Sequence, residues 1–197
     1  MTRGTSRRDE AAVGSVDTGL VERAQGGDEE AFGLLAVPLG DRLFAVATRI
    51  LRDDDLAADA TQRALIGIWR DLPQLRDLTR FDAWSYRLLV RACYAERRQE
   101  RRWSPSLRML PTAHDGGADE VAIVIDRDQL DRAARRLSMD HRVVVVLCYY
   151  LDLPHADIAE LLGIPVGTVR SRLRYALKGL RGALEADARP AISEAVQ

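Results

Sequence analysis

Apolar residues recur every three or four positions through most of the chain, which is the spacing that places them on one face of an α-helix. The pattern predicts helices over residues 17–25, 28–51, 53–72, 81–102, 126–137, 138–151, 154–163 and 166–180. Pro38 and Gly40 predict a kink or a break in the second of these helices. No strand pattern with a two-residue period competes with this interpretation, so the predicted fold class is all-α.

The stretch from residue 104 to residue 125 interrupts the helical pattern. It contains Pro105, Pro111, Gly116 and Gly117 with scattered acidic residues, a composition typical of a flexible, net acidic linker. We therefore expect two small helical domains joined by this linker. The predicted boundaries are 1–16 for a disordered arm, 17–103 for the first domain, 104–125 for the linker, 126–186 for the second domain and 187–197 for a tail.

Residues 154–180 predict a helix-turn-helix in the second domain. Gly163 ends the first helix of the pair, and Ile164 and Pro165 lead into the second. The apolar positions of the second helix are Val169, Leu173, Leu177 and Leu180, and its outward positions are Arg170, Ser171, Arg172, Arg174, Lys178 and Arg181. Such a helix offers donors to phosphates and to guanine edges in a major groove. The alternative is a solvated basic face on an ordinary helical hairpin.

A second basic surface is predicted at the end of the first domain. The helix 81–102 carries Arg91, Arg97, Arg98, Arg101 and Arg102 in its later part. Phe81 and Trp84, near its start, could stack on unpaired bases. Aromatic residues at helical spacing more often belong to the core, so both alternatives stay open for these two rings.

The whole chain is nearly neutral, with a formal net charge of -1 and a pI near 6.3, so any DNA binding depends on local segregation of charge. Cys93 and Cys148 lie apart in apolar helical patterns and are expected to be reduced core thiols. We predict no cofactor, no metal site and no enzymatic activity, because phosphate loops, nucleophile elbows and metal-ligand spacings do not occur. No signal peptide or long apolar run stands out, which predicts a cytoplasmic location.

Three motifs in order, GDEEAFGLL, RFDAWSYRLLVRAC and GIPVGTVRSRLRYAL, resemble those of sigma factors of the extracytoplasmic-function (ECF) group of the sigma-70 family. The resemblance extends from Asp17 to about Leu184, and GIPVGTVRSRL is its most specific part. It implies a dissociable subunit that directs core RNA polymerase to promoters. The helix 80–102 of the first domain would open the -10 element, and the helix 166–180 of the second domain would read the -35 element.

The resemblance also implies roles for individual residues of the two DNA-binding helices. The -35 element would be contacted by Thr168, Arg170, Ser171 and Arg174, with Arg172 on a phosphate and Tyr175 where an arginine is common. Apart from the resemblance, we expect the outward Lys178 to bind DNA without sequence preference. The -10 element would be contacted by Arg76, Phe81, Trp84, Arg87, Arg91 and Arg98. Arg91 and Ala95 replace the asparagine and aspartate that are frequent in the family, so the preference for a flipped base is expected to differ.

The expected partners are core RNA polymerase, through its clamp and its flap, promoter DNA and an anti-sigma factor, with no membrane insertion. Polymerase binding would fall on Asp55, Asp59 and Gln62, which share one helical face, although Ala58 and Arg63 depart from the acidic family pattern. The alternative function is a stand-alone helix-turn-helix regulator whose first domain senses a ligand or dimerises. A helical adaptor for proteins alone would leave the basic helix unexplained.

Overall fold

The computed structural model describes residues 17–103 and 121–194, and within these ranges the regular structure is helical with no strand. The predicted arm 1–16 and most of the predicted linker lie outside the described residues. The α-helices are α1 (Thr18–Gln25), α2 (Glu29–Leu51), α3 (Asp54–Asp71), α4 (Phe81–Trp103), α5 (Val121–Arg136), α6 (Met139–Tyr149), α7 (His155–Leu162) and α8 (Val166–Glu194). Short 3-10 turns cover Leu72–Gln74 and Leu78–Arg80. The predicted all-α class is confirmed.

The described chain divides into two compact units. The first holds residues up to 48 and residues 53–95, and the second holds residues 49–52 and those from 96 onward. In the first unit, acidic side chains begin the helices: Asp17 accepts from the backbone N–H of Gly19, and Asp53 accepts from that of Leu56 at 3.0 Å. These bonds satisfy backbone donors that have no partner within the helix.

The helix α2 supplies much of the first core and runs without a break through Pro38. Pro38 lacks an N–H, so the carbonyl of Leu34 loses its helical donor, but both residues are exposed and water can replace it. The predicted break is therefore wrong. By length and composition α2 is also the one helix in the described part of the chain that could cross a membrane. Its fully buried face, with Leu35 and Leu43, favours the core helix of a folded domain.

The second unit packs α5, α6 and α7 against α8. The turn between α7 and α8 is made at Gly163, whose left-handed φ of 66° fits the predicted turn residue. Val169, Leu173 and Ala176 form the buried face of α8, whereas Leu177 is 44% exposed. The prediction of Leu177 as a core position is therefore wrong. Both residues 176 and 177 are apolar, and tertiary packing selects the smaller one.

Two helix ends differ from the predicted ones. The helix α5 begins at Val121, inside the stretch 104–125 that was predicted as linker, and α8 continues to Glu194 instead of ending near residue 180. Helix growth is cooperative, so a helix that is anchored by buried residues extends at little cost into the residues that flank the anchors. For α5 the anchors are Ala133 and Leu137, just after the helix end.

Both cysteines are free thiols, as predicted. Cys93 is fully buried in the first unit, and Cys148 is partly buried in the second. Burial and, secondarily, the nearby Asp152 carboxylate raise the pKa of the Cys148 thiol, which keeps it protonated and unreactive at neutral pH.

Candidate nucleic-acid interface

The outward face of α8 carries the first group of predicted DNA-binding residues. Arg170, Arg174 and Lys178 are exposed at spacings of four residues and therefore share one side of the helix. A different side of α8 is buried through Val169 and Leu173, which fixes the rotation of α8 against the rest of the unit. The structure thus presents the three cations together on a rigid support.

The other predicted -35 residues flank this row of cations. Thr168 and Ser171 are partly buried, and the Ser171 hydroxyl donates to the carbonyl of Thr168 at 2.9 Å, so its oxygen can still accept a bond. Tyr175 is 54% exposed and is contacted by two other side chains. The His141 ring stacks on it with centroids 6.5 Å apart, and the Arg174 guanidinium lies 5.1 Å from its ring centre. Tyr175 is therefore held in place although it departs from the family pattern.

Arg172 differs from the other cations of α8. It pairs with Asp140 in the first turn of α6, with 2.7 Å between the guanidinium nitrogen and the carboxylate oxygen. Its side chain is 25% exposed, against the open exposure of Arg170 and Arg174. No sequence pattern indicates this pair, because the two residues belong to different helices.

The predicted -10 residues differ in how far they are exposed to solvent. Trp84, Arg87, Arg91 and Arg98 follow one another along one side of α4, and Arg91 and Arg98 are exposed. Arg76 is exposed in the segment before α4. Phe81 is only 3% exposed and packs beside Trp84, with ring centroids 6.0 Å apart. A buried ring cannot stack on a base, so the structure corrects the prediction for Phe81 and supports its core alternative.

The predicted polymerase-binding residues lie on α3. Asp55, Asp59 and Gln62 are all exposed and share one side of the helix, which we call the α3 strip. The opposite side of α3 is buried through Ala57, Ala60, Ala64 and Ile68. An exposed polar strip on a helix whose other side is fixed in the core is free to bind another protein.

The α3 strip continues beyond the three residues predicted from the sequence. Ile66 follows Gln62 by four residues on the same side of α3 and is 59% exposed. Beside it, Phe32 and Trp69 pack with ring centroids 4.6 Å apart and line a shallow groove of about 440 Å³ that also includes Leu65. A large exposed apolar side chain next to an apolar groove is a common mark of a protein-binding surface. The helical spacing of the sequence alone could have predicted an exposed Ile66, because this residue falls on the predicted polar side of α3.

Comparisons with known proteins match both units. Residues 35–103 match the family model described as sigma-70 region 2, and residues 127–180 match the one described as sigma-70, region 4. The chain is 30% identical over 183 residues to the RNA polymerase sigma-H factor of Pseudomonas aeruginosa, covering 86% of this chain and 94% of that protein. It is 34% identical over 146 residues to the ECF RNA polymerase sigma factor SigL of Mycobacterium tuberculosis, covering 73% and 82% respectively.

A solved structure has a similar fold. The sigma factor RpoE of Bartonella quintana, crystallised with the anti-sigma factor NepR, aligns with a TM-score of 0.63 at 23% identity and covers 76% of this chain and 93% of its own. Two matched regions in the order of the sigma-70 family do not favour a stand-alone helix-turn-helix regulator. The chain belongs to the sigma-70 family, as a sigma factor of the ECF group that directs RNA polymerase to promoters.

Proposed function

We propose that the exposed face of α8 reads the -35 element of the promoter. The observation that carries this proposal is the row of Arg170, Arg174 and Lys178 on the exposed side of a helix whose rotation is fixed by its buried face. Arginine can bond to both acceptors of guanine in the major groove, whereas lysine at the end of such a row suits a phosphate. Thr168, Ser171 and Tyr175, which flank the row, would make the remaining contacts.

We further propose that α4 acts on the -10 element through Trp84, Arg87, Arg91 and Arg98, with Arg76 before the helix. The arginines would attract the phosphates of the opened strand, and the partly buried ring of Trp84 would stack on an unpaired base. Phe81 would support Trp84 from the core instead of touching DNA.

Polymerase binding is proposed for the α3 strip together with Ile66. Asp55 and Asp59 supply negative charge, and Ile66 supplies an apolar anchor beside the groove at Trp69. Interfaces typically combine a central apolar anchor with a polar rim, and this surface has both parts. The clamp of the polymerase would contact this surface, and the flap would contact the second unit.

Regulation by an anti-sigma factor, and a location in the cytoplasm, complete the proposal. The first is supported by the similarity to a sigma factor that was crystallised with an anti-sigma factor. The second follows from the proposed binding to RNA polymerase. By family these proteins act as transcription initiation factors, so the chain would act by binding and not by catalysis.

Run-off transcription tests the -35 proposal directly. Core RNA polymerase is mixed with the full chain and with promoter fragments whose -35 region is randomised, and the transcribed fragments are sequenced. We expect a restricted -35 sequence to be enriched, and Arg170→Ala to relax the preference at particular bases. Enrichment that is identical with Arg170→Ala would show that α8 does not read the sequence through this residue.

A further inference from the structure

We propose that Asp140 restrains Arg172 and thereby limits the number of cations that α8 presents to promoter DNA. Asp140 would be a positioning residue that lies outside the recognition helix and tunes its affinity. The proposal rests on the -35 role proposed for α8. The observation behind it is the ion pair of 2.7 Å between the Arg172 guanidinium and the Asp140 carboxylate.

The rotation of α8 separates Arg172 from the other cations. With 3.6 residues per turn, Arg172 leaves the helix roughly 200° around from both Arg170 and Arg174. Its side chain therefore leaves α8 beside the buried face, and the ion pair directs it to the first turn of α6 instead of the exposed row. Its 25% exposure agrees with this placement.

A second contact holds the same two helix segments together. Next to Asp140, His141 stacks on Tyr175 of α8, with ring centroids 6.5 Å apart and an angle of 25° between the planes. The first turn of α6 thus touches the flank of α8 at two successive residues. Asp140 is held where it can retain Arg172, because Val143 of α6 and Leu173 of α8, close to the two members of the ion pair, are buried.

The ion pair should weaken DNA binding, because Asp140 and a DNA phosphate compete for Arg172. A DNA phosphate and the Asp140 carboxylate offer the same kind of acceptor to one guanidinium. While Asp140 is charged, Arg172 has a partner within its own domain, and the binding of a phosphate must displace it. Each cation that newly contacts a phosphate increases the salt dependence of DNA binding, with a slope of roughly 0.9 per contact. Releasing Arg172 should therefore add about one unit to this slope.

Asp140 could instead serve only its own helix. It lies in the first turn of α6, where a negative charge interacts favourably with the positive end of the helix. That role predicts a small loss of thermal stability on neutralisation and no dependence on Arg172. The two roles are therefore distinguishable by a double substitution.

The experiment measures binding of the full chain to a random-sequence DNA duplex over a range of salt concentrations, and binding of the reconstituted holoenzyme to a promoter recovered by selection. The variants are Asp140→Asn, Arg172→Gln and the double variant. Asp152→Asn is the matched control, because it removes the same charge at the other end of α6, where a left-handed φ of 51° suits asparagine. Thermal melts accompany each variant.

We expect Asp140→Asn to raise affinity for both DNAs about threefold or more, with a salt slope steeper by about one. The double variant should bind DNA hardly more tightly than Arg172→Gln does. The increase in affinity should be no larger than the increase that Asp152→Asn causes in the unaltered chain. Three results would overturn the proposal: a loss of affinity with Asp140→Asn, a gain that persists in the double variant, or a gain no larger than that of Asp152→Asn. If Asp140→Asn unfolds, Asp140→Ala replaces it, because Asp140 lies inside α6 and alanine favours helix.

Arg170→Ala in the same assay separates this inference from the proposal on which it rests. Unchanged sequence preference with Arg170→Ala would mean that α8 does not read the promoter. Altered preference with Arg170→Ala, together with no response to Asp140→Asn, would leave the -35 proposal intact and remove only the role of Asp140.

Discussion

Asp59 and Ile66 lie on the same exposed side of α3, two helical turns apart. The first carries a negative charge and the second an apolar side chain that is 59% exposed. Their shared orientation makes one continuous surface from the predicted polar strip and the groove beside Trp69. Two kinds of substitution on this surface therefore test the same proposed contact with polymerase by independent means.

Asp59→Arg should abolish or strongly reduce binding to core polymerase, because it reverses a charge in the middle of the α3 strip. The fold should be unaffected, since an exposed substitution usually shifts the free energy of unfolding by no more than about 0.5 kcal/mol. A pull-down with core polymerase and a thermal melt of the same variant check both expectations. Glu22→Arg, which reverses an exposed charge on α1, is the control. Unchanged core binding by Asp59→Arg would remove Asp59 from the interface.

Two isoleucines of α3 provide a matched pair. Ile66 is 59% exposed, and Ile68 is fully buried. Ile66→Ala should weaken binding to core polymerase. The free energy of unfolding should change by no more than about 0.5 kcal/mol, because the substitution leaves no cavity. Ile68→Ala should cost about 2–5 kcal/mol of stability, through lost burial and a cavity in the core. Chemical denaturation and an assay of binding to core polymerase check both variants. A larger loss of stability with Ile66→Ala than with Ile68→Ala would contradict this assignment.

The features that local chemistry determines could be predicted from the sequence. Asp53 and Gly163 are examples, because a side-chain acceptor at a helix start and a left-handed glycine at a helix end depend on neighbouring residues only. The buried Ile68 of α3 and the buried Val169 and Leu173 of α8 were predicted for the same reason. A period of 3.6 residues converts spacing directly into orientation.

The features that depend on distant residues could not be predicted. The burial of Phe81 requires the surrounding helices, since an aromatic residue at a helix start fits either the core or a DNA surface. The pairing of Arg172 with Asp140 joins two helices whose contact is set by the packing of the whole second unit. The choice of Ala176 over Leu177 as the buried residue likewise depends on how closely α8 approaches its neighbours.

Gly163→Ala should destabilise the second unit by about 1–2 kcal/mol, because a residue with a Cβ is strained at a φ of 66°. A steric clash is not the reason, since nothing lies within 4 Å of the position of an added Cβ. Gly182→Ala, at an open helical position of α8, should instead leave stability unchanged or raise it, as alanine favours helix. Thermal melting of both variants checks the contrast. Equal melting temperatures would show that the turn tolerates another residue.

Arg170 and Lys178 lie on the same exposed side of α8 but are expected to affect DNA binding differently. Arg170→Ala should cost about 1–3 kcal/mol at particular -35 bases, because it removes donors to a base edge. Lys178→Ala should weaken binding to all sequences similarly and lower the salt slope by about one, because it removes a phosphate contact. Holoenzyme binding to a set of promoter fragments with single -35 substitutions, measured at several salt concentrations, distinguishes the two effects.

The control for this pair is Arg181→Ala, an exposed cation one turn further along α8. If charge alone determined affinity, all three variants would lose affinity equally and sequence preference would stay unchanged. Sequence-dependent loss confined to Arg170→Ala is expected instead, because Arg170 lies in the first turns of the helix, which approach the bases in a helix-turn-helix complex. A relaxed base preference in Lys178→Ala, with Arg170→Ala unchanged, would show that α8 enters the groove in another orientation.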